Sequence, residues 1–273
     1  MGKHYIFYKY NIAIESILLY ATLLFIGIAI FIFLLTIYSR SKKNRTELMI
    51  AKYNPIIEEI LMSVLFADAN YETIKSRSEI EVLFLNKILR EQMIVSIMNL
   101  HENYGGVYAG KLRKFYIESD LIQDSYAKFR NSKWEVKCKG IKELAEMNVS
   151  EVFDELVSYT NVDNQTVAIT AINACIKLDG TNGIIQLSKH IHHIDVWTQL
   201  NIIDALKRSD IDNVDGIELL LNSENDTVVS LGLKIIQAFR LSNFRPSVLE
   251  FIDQTKQSTL KKEADKVSEL LLN

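Results

Sequence analysis

The hydrophobic pattern of the chain changes character after its first forty residues. Residues 16–38, SILLYATLLFIGIAIFIFLLTIY, form an uncharged, apolar run of 23 residues that ends in a basic cluster. At ~1.5 Å rise per residue a helix of this length reaches roughly 34 Å, enough to cross a hydrocarbon core of about 30 Å. A cleaved signal peptide would have a shorter apolar region that ends in small residues. The run therefore predicts a single transmembrane helix over 16–38.

The charges on either side of this run predict its orientation. Two lysines precede it, and four cations follow it: Arg40, Lys42, Lys43 and Arg45. Cytoplasmic flanks retain positive charge during insertion. We therefore expect a short extracytoplasmic tail over 1–15, a basic juxtamembrane linker over 39–45, and a cytoplasmic domain from residue 46 onward, anchored in an inner or plasma membrane.

Two further residues mark the ends of the predicted span. Tyr38 has the side chain typical of an interfacial aromatic belt. Glu15 lies at the outer edge, where a carboxylate reaches water; at the bilayer centre it would cost ~3 kcal/mol. Glu15 is thus either an interfacial residue or an electrostatic partner for a cation of another membrane protein.

From about residue 131 the apolar pattern repeats every 31 residues or so, a period typical of stacked helix pairs. Successive helices have their first apolar position at Val136, Val167, Trp197, Val228 and Leu260, spaced by 31, 30, 31 and 32 residues. Small residues dominate four positions later, and a second, shorter helix is indicated twenty positions later by Leu156, Leu187, Ile217 and Val248. Each repeat is therefore predicted to be a pair of antiparallel helices.

Two of these repeats, DNQTVAITAINACIKLDG and ENDTVVSLGLKIIQAF, resemble the HEAT-repeat superfamily, and the resemblance covers roughly residues 131–273. It implies a right-handed superhelix whose second helices line a concave surface for protein recognition. The predicted fold class is all-α: one N-terminal transmembrane helix followed by an α-solenoid of HEAT-like helix pairs. Such a scaffold serves many functions, so the fold alone identifies no activity.

Residues 46–130 lack the 31-residue register and indicate three further helices, over 46–68, 76–102 and 105–129. Asn54 followed by Pro55 looks like a helix N-cap with proline at the first helical position. We therefore expect a new helix to begin there rather than the membrane helix to continue. The segments NYGGVYAGKLRKFYIESDL and SKWEVKCKGIKELAEM also resemble membrane-anchored bacterial HEAT-like proteins, some of which accompany glycosyltransferases of polysaccharide synthesis.

Composition excludes some classes of function. The formal net charge of -3 divides into +5 for residues 1–45, -2 for 46–132 and -6 for 133–273. Because binders of the phosphate backbone concentrate Lys and Arg, an acidic domain argues against a nucleic-acid partner. Two cysteines, Cys138 and Cys175, form no disulfide framework and suit a reducing cytoplasm.

Histidines supply the only candidate chemistry. His190, His192 and His193 with Asp195 have the side chains of a zinc site, but their spacing does not favour convergence on one metal. His101–Glu102 is the single adjacent His-Glu pair, whereas HEAT-like hydroxylases use several. We therefore expect no catalytic residues, no metal and no cofactor. A HEAT-like metal-dependent enzyme or lyase that uses the His190–His193 cluster stays as the alternative.

A row of lysines and polar residues is the candidate binding surface. Positions two and six of the repeat helices point away from the predicted core, and seven of their polar residues form the predicted partner-binding set: Lys142, Asn173, Gln199, Ser230, Lys234, Lys262 and Lys266. An acidic helix or tail of a partner would fit this row, although solvated lysines alone also explain it. Trp134 and Trp197 are expected to pack in the core.

Together these patterns predict a membrane-anchored cytoplasmic scaffold or adaptor that binds a membrane-associated protein partner, with no nucleic acid and no small-molecule substrate. The looser resemblance implies a cell-envelope or polysaccharide glycosyltransferase complex as the client.

Overall fold

A computed structural model describes residues 2–76, 78–208 and 216–272, with residues 2–17, 78, 79 and 208 described by their backbone. Within these ranges the chain forms fifteen α-helices and no strand, which confirms an all-α fold. The helices are α1 Gly2–Phe66, α2 Tyr71–Lys75, α3 Ser78–Phe84, α4 Lys87–Asn103, α5 Gly106–Glu118, α6 Leu121–Phe129, α7 Trp134–Glu146, α8 Phe153–Val157, α9 Gln165–Leu178, α10 Gly180–Ser188, α11 Val196–Arg208, α12 Glu218–Leu221, α13 Asp226–Ala238, α14 Arg245–Gln254 and α15 Ser258–Leu270.

The first helix, α1, joins the apolar run to the folded domain. It is 65 residues long, and from Leu18 it is long and apolar enough to cross a membrane. Residues 18–49 are exposed along their whole length, whereas the last part of α1 buries one face against α4 and α5. That face consists of Tyr53, Ile57, Ile60, Leu61, Val64 and Leu65. One uninterrupted helix thus leads from the candidate span into the core.

The expected helix start at Asn54 and Pro55 is wrong, because Pro55 lies inside α1. An internal proline costs about 3 kcal/mol relative to alanine. Burying a large apolar side chain contributes about 1.5–3 kcal/mol, and the residues on either side of Pro55, Tyr53 and Ile57, are both buried. Packing of this face therefore outweighs the proline, and residues 39–45 are helical as well.

The two other helices predicted before residue 130 are each divided in two. Between α3 and α4, the Asn86 side chain accepts a hydrogen bond from the Ile88 amide at 2.9 Å and so caps α4. Between α5 and α6, Asp120 adopts a left-handed conformation with φ of 60°. Asparagine and aspartate favour such caps and turns because their short side chains bond to nearby backbone, which explains both interruptions.

After residue 130, long and short helices alternate. The long helices α7, α9, α11, α13 and α15 begin at residues 134, 165, 196, 226 and 258. Each long helix packs against the next, and the short helices α8, α10, α12 and α14 pack beside them. The alternation of long and short helices and the spacing of about 31 residues between the long helices agree with the predicted period.

In α11 the predicted register is wrong by one residue. Trp197, placed in the core by the sequence pattern, is 72% exposed, while Ile202, Ile203 and Leu206 are buried. Thr198, 31 residues after Val167, therefore takes the position in α11 that Val167 has in α9. Trp134 is also exposed, at 44%, so the expectation that both tryptophans pack in the core is wrong.

Small residues allow close contact between helices, at two of the positions four residues after the first apolar position of a repeat helix and at one position in a short helix. A Cβ added at Gly140 would lie 2.3 Å from the Phe129 nitrogen in α6, and one at Gly232 would lie 2.8 Å from the Leu220 Cβ in α12. Gly183 in α10 has an equally close contact, 2.3 Å from the Ile176 Cα in α9. At these three positions only glycine fits the distance between the helices.

The core consists of two hydrophobic clusters that meet at α9. The first extends from Tyr53 to Cys175 and the second from Ile172 to Val267. Both cysteines are buried and free, and burial raises the pKa of Cys175 to about 12, so this thiol is unreactive at neutral pH.

Candidate protein-binding surface

The membrane-flanking residues lie on the exposed part of α1. Tyr38, Arg40, Lys42, Lys43 and Arg45 all reach solvent, and Lys43 makes an exposed ion pair with Glu47 at 3.8 Å. Because successive helical residues are rotated by about 100°, the four cations surround the axis rather than form one stripe. The side chain of Glu15 lies outside the described residues.

Three of the seven residues in the predicted partner-binding set, Lys142, Lys262 and Lys266, are exposed. Asn173, Ser230 and Lys234 are half-buried, and Gln199 is buried. The two C-terminal lysines line an open cleft of about 710 Å³ between α13 and α15, together with Glu263 and Glu269. These acidic neighbours balance the lysines, so the cleft has no strong excess of positive charge.

Gln199, Ser230 and Lys234 of this set hold helices together. Gln199 is only 3% exposed, donates hydrogen bonds to the carbonyl oxygens of Ile194 and Thr227, and accepts one from Lys234 at 2.6 Å. Ser230 donates to Glu263 at 2.9 Å, and Lys234 lies 3.9 Å from the same carboxylate. These contacts join α11, α13 and α15. In the observed register, Leu200 and Asp204 take the outward positions of α11.

The histidine cluster lies in the loop between α10 and α11. His190 is buried, with Nδ1 3.0 Å from the Thr160 carbonyl oxygen, and Nε2 has no hydrogen-bond partner. Burial lowers the pKa of His190, so its imidazole is neutral at neutral pH. His192 is half-buried and His193 is exposed. In the described part of the chain, no three His, Cys, Asp or Glu side chains converge as metal ligands.

The same loop is fixed by asparagines of the neighbouring repeats. Asn225 donates through Nδ2 to the carbonyl oxygens of His190 at 3.0 Å and His192 at 2.7 Å. On the other side, the Ile191 amide donates to Asn161 Oδ1 at 3.1 Å. The loop is therefore held between the preceding and the following helix pair.

A buried ion network, which sequence reasoning missed, joins α4, α6 and α7. Lys128 lies 2.6 Å from Glu91 and 2.7 Å from Glu143, and Ser125 donates to Glu143 at 2.5 Å. Lys139 also contacts Glu91. Burial acts to raise the pKa of Glu91, but the hydrogen bonds from both lysines outweigh it and lower the pKa below its ordinary value. The sequence separations, such as 52 residues between Glu91 and Glu143, give no local signal of this network.

A second network ties α4 and α7 to α9. His101 Nδ1 lies 3.0 Å from Glu146, which also contacts Lys177. Burial acts to raise the pKa of Glu146, but the hydrogen bonds from His101 and Lys177 outweigh it and hold the pKa below its ordinary value. The partner of His101 is thus Glu146 on another helix rather than the adjacent Glu102.

Two groups of exposed apolar side chains on the domain lie at the end of α1 and at the beginning of α11. Phe66, Tyr104 and Tyr108 meet where α1 ends, with ring centroids 5.7 and 5.9 Å apart. At the beginning of α11, four large side chains are exposed: Ile191, Val196, Trp197 and Leu200. Apolar groups of this kind at a surface are typical of protein-binding sites.

Comparison of the chain with protein-family models, with curated proteins and with solved structures gives no match. The resemblance to HEAT repeats therefore rests on the residues and helix pairs described above.

Proposed function

We propose that this chain is a membrane-anchored adaptor that holds a helical protein-binding domain at a fixed position beside the bilayer. In this proposal residues 16–38 cross the membrane, the N-terminus lies outside, and the domain lies in the cytoplasm. The helix pairs of α7–α15 form a HEAT-like α-solenoid that recognises a membrane-associated protein. An accessory role in a cell-envelope or polysaccharide glycosyltransferase complex follows from the looser resemblance alone.

The continuity of α1 carries the proposal. Tyr53, the first buried residue of the domain, lies fifteen positions after Tyr38, at the end of the predicted span. At ~1.5 Å per residue this helical segment is roughly 22 Å long. A flexible linker would restrict only the distance of the domain from the bilayer, whereas a helix that is packed at one end and embedded at the other also restricts its rotation.

Anchoring of this kind strengthens a modest interface. Confinement beside the bilayer converts part of the encounter into an intramolecular event, so affinity rises without new contacts. The four exposed cations of residues 40–45 add attraction to anionic lipids, worth about 1 kcal/mol each near the surface. The domain itself then needs only a small surface for its partner.

The test compares two full-length variants that differ only in helix stiffness. Ser41, Asn44, Thr46 and Glu47 are replaced together by alanine in one protein and by glycine in the other, which keeps all four cations. Glycine disfavours helix by about 1 kcal/mol per position relative to alanine. Each protein is captured from native membranes in mild detergent, and the co-purifying proteins are quantified by mass spectrometry.

We expect the alanine variant to recover the same membrane protein as the wild type and the glycine variant to recover several-fold less. Equal recovery by both variants would refute positioning by α1. Absence of any specific membrane protein with the wild type would refute the adaptor function as a whole.

A further inference from the structure

Four large apolar side chains form an exposed surface at the beginning of α11, here named the Trp197 patch: Ile191, Val196, Trp197 and Leu200. Each is more than half exposed. Residues 196, 197 and 200 lie on one side of α11, because helical residues four apart are neighbours. Ile191 lies in the preceding loop, which the hydrogen bonds from Asn225 and to Asn161 hold in place.

The fold does not require a tryptophan at this position. In the observed register, the residues equivalent to Trp197 in the other four long helices are all polar: Glu135, Thr166, Thr227 and Thr259. Four of the five helices therefore present a polar side chain where α11 presents an indole. An exposed tryptophan carries no packing benefit, and tryptophan is among the residues most enriched at the energetic centres of protein interfaces.

Carboxylates surround the patch. Asp163, Asp195, Glu224 and Asp226 are all exposed and lie in the loops and first turns next to residues 190–197. The Ile194 amide donates to Thr227 Oγ1 at 2.9 Å, which places the Glu224–Asp226 segment directly beside the loop. Asp195 accepts hydrogen bonds from Thr198, and Asp226 accepts one from Gln257. Within the described residues, none of the four carboxylates has an ion-pair partner.

Few cations lie on the elements that contact the patch. Lys234 on α13 donates a hydrogen bond to Gln199 of α11 and lies 3.9 Å from Glu263. Lys189 is the one exposed lysine in the loop between α10 and α11. Lys256 is also exposed and precedes Gln257, which donates to Asp226. Four carboxylates without an ion-pair partner against two lysines leave a net negative charge around the apolar centre.

We propose that the Trp197 patch binds a basic, apolar segment of the protein partner, an inference that rests on the proposed adaptor function. Arg or Lys side chains of the segment pair with Asp163, Asp195, Glu224 and Asp226, and one of them stacks on the indole of Trp197. Apolar side chains of the segment cover Val196 and Leu200. The partner chemistry is thus the reverse of the acidic segment expected for the row of lysines.

The first experiment identifies what touches the patch. A photoreactive benzoylphenylalanine replaces Trp197 in the full-length protein, expressed in its native cells, and replaces Leu85 in a control. Leu85 is 82% exposed and lies between α3 and α4. After irradiation, the cross-linked peptides are sequenced by mass spectrometry. We expect the Trp197 probe, and not the Leu85 probe, to label a net-positive segment of one other protein.

The second experiment measures the contributions of apolar contact and charge separately. Trp197→Ser tests the apolar centre, and Asp195→Asn with Asp226→Asn removes two charges, while asparagine at position 195 still caps α11 and Asn225 still caps α13. Recovery of the cross-linked protein by capture from native membranes should fall at least about tenfold for Trp197→Ser, the loss expected for an interface tryptophan, and less for the double variant. Leu85→Ser should leave recovery unchanged.

Several outcomes would overturn the assignment. If the Trp197 probe labels an acidic segment, the proposed partner chemistry is reversed, and if it labels another copy of this chain, the occupant is a second copy. If it labels lipid or nothing, the patch is not a protein-docking site. Unchanged recovery with Trp197→Ser would also show that the patch is not a docking site. The adaptor function stands if the wild type still recovers a specific membrane protein in any of these cases. A fall of several degrees in the melting temperature of Trp197→Ser would show instead that the tryptophan is part of the core.

Discussion

The helices before and after α7 are held together in different ways. Every buried Phe, Tyr or Trp side chain in the described residues lies at or before position 129: Tyr53, Phe84, Phe115, Tyr116 and Phe129. The ion network centred on Lys128 joins this region to α7. From α7 onward the helices approach through glycines, of which Gly140 packs α7 on α6, and Gly183 and Gly232 pack later helices. The loops there are fixed by neutral amide and imidazole groups. The first region depends on contacts that each occur once, and the second on contacts that recur with the repeat.

Removal of the central cation should have the largest effect on the first region. Lys128→Met leaves Glu143, whose side chain is only 4% exposed, without its ion-pair partner. Breaking a buried pair in this way costs about 3–5 kcal/mol. The free energy of unfolding in urea is the measurement. Lys114→Met is the matched control, because Lys114 is 70% exposed and pairs with Glu118 on the surface. The control should change stability by less than about 1 kcal/mol.

A loss of less than 1 kcal/mol for Lys128→Met would contradict a buried network. Combining Lys128→Met with Glu143→Gln should recover part of the loss, because the carboxylate is then no longer buried with an unpaired charge.

Pro55 separates the two interpretations of α1 by the size of the effect on stability. Because Pro55 lies inside a continuous helix and is exposed, Pro55→Ala restores a backbone donor and loses little packing. The gain should approach about 3 kcal/mol, the interior cost of proline relative to alanine. If residue 55 instead began a helix, proline would cost nothing there and the substitution would be neutral.

Asn54→Ala gives an independent check on the same point. Inside a helix, alanine is the more favourable residue and should stabilise the protein slightly. At a helix N-cap the same change would cost about 1 kcal/mol.

The sequence pattern predicted the repeat region well and the first region poorly, for a physical reason. A contact that recurs every 31 residues leaves a periodic signal, but α1 continues through Pro55 because of burial against α4 and α5, which no local pattern encodes. The helix-capping residues indicate the correct register of α11. The residues whose side chains cap α9, α11 and α13 are Asn164, Asp195 and Asn225, and they keep the 31- and 30-residue spacing that the apolar positions obscure.

The residues of the candidate surface were also predicted incompletely from the sequence pattern. Counting positions placed Gln199 outside and Trp197 inside, and one residue of shift reversed both. A helix rotates by about 100° per residue, so such an error moves every side chain of that helix to a different face. The polar network of Gln199, Lys234 and Glu263 joins residues more than 25 positions apart and has no local signature.

Glycine substitution tests the close helix contacts of the repeat region. Gly183→Ala would place a Cβ 2.3 Å from backbone atoms of Ile176, which cannot move without displacing α9. We expect a loss of about 2 kcal/mol, within the usual cost of overpacking. Gly110→Ala is the control in the first region, since a Cβ there meets nothing within 4 Å. The control should gain up to about 1 kcal/mol from helix propensity. Equal effects at the two sites would contradict the difference between the regions.

The smallest effect on stability is expected at His190, whose neutral imidazole contacts the Thr160 carbonyl oxygen, and this effect depends on pH. Burial lowers the pKa of His190 below its ordinary value of 6.5, opposed by the hydrogen bond to Thr160 and assisted by His192. Below pH 6.5 the unfolded chain therefore binds this proton more readily than the folded chain does. The stability that His190 contributes is complete above pH 6.5 and is lost as the pH falls through the folded-state pKa.

His190→Asn removes the titrating group and keeps a donor near Thr160. The free energies of unfolding of wild type and variant are compared at pH 7.5, 6.5 and 5.5, and the advantage of the wild type should shrink toward the lowest pH. The ion networks respond at lower pH, because the pKa values of Glu91 and Glu146 are lowered and their contributions persist until the solution is more acidic. Mild acid should therefore weaken the contact of His190 with Thr160 before it weakens the contacts of α4 with α6, α7 and α9. A constant difference between wild type and His190→Asn over this range would show that His190 is not buried in its neutral form.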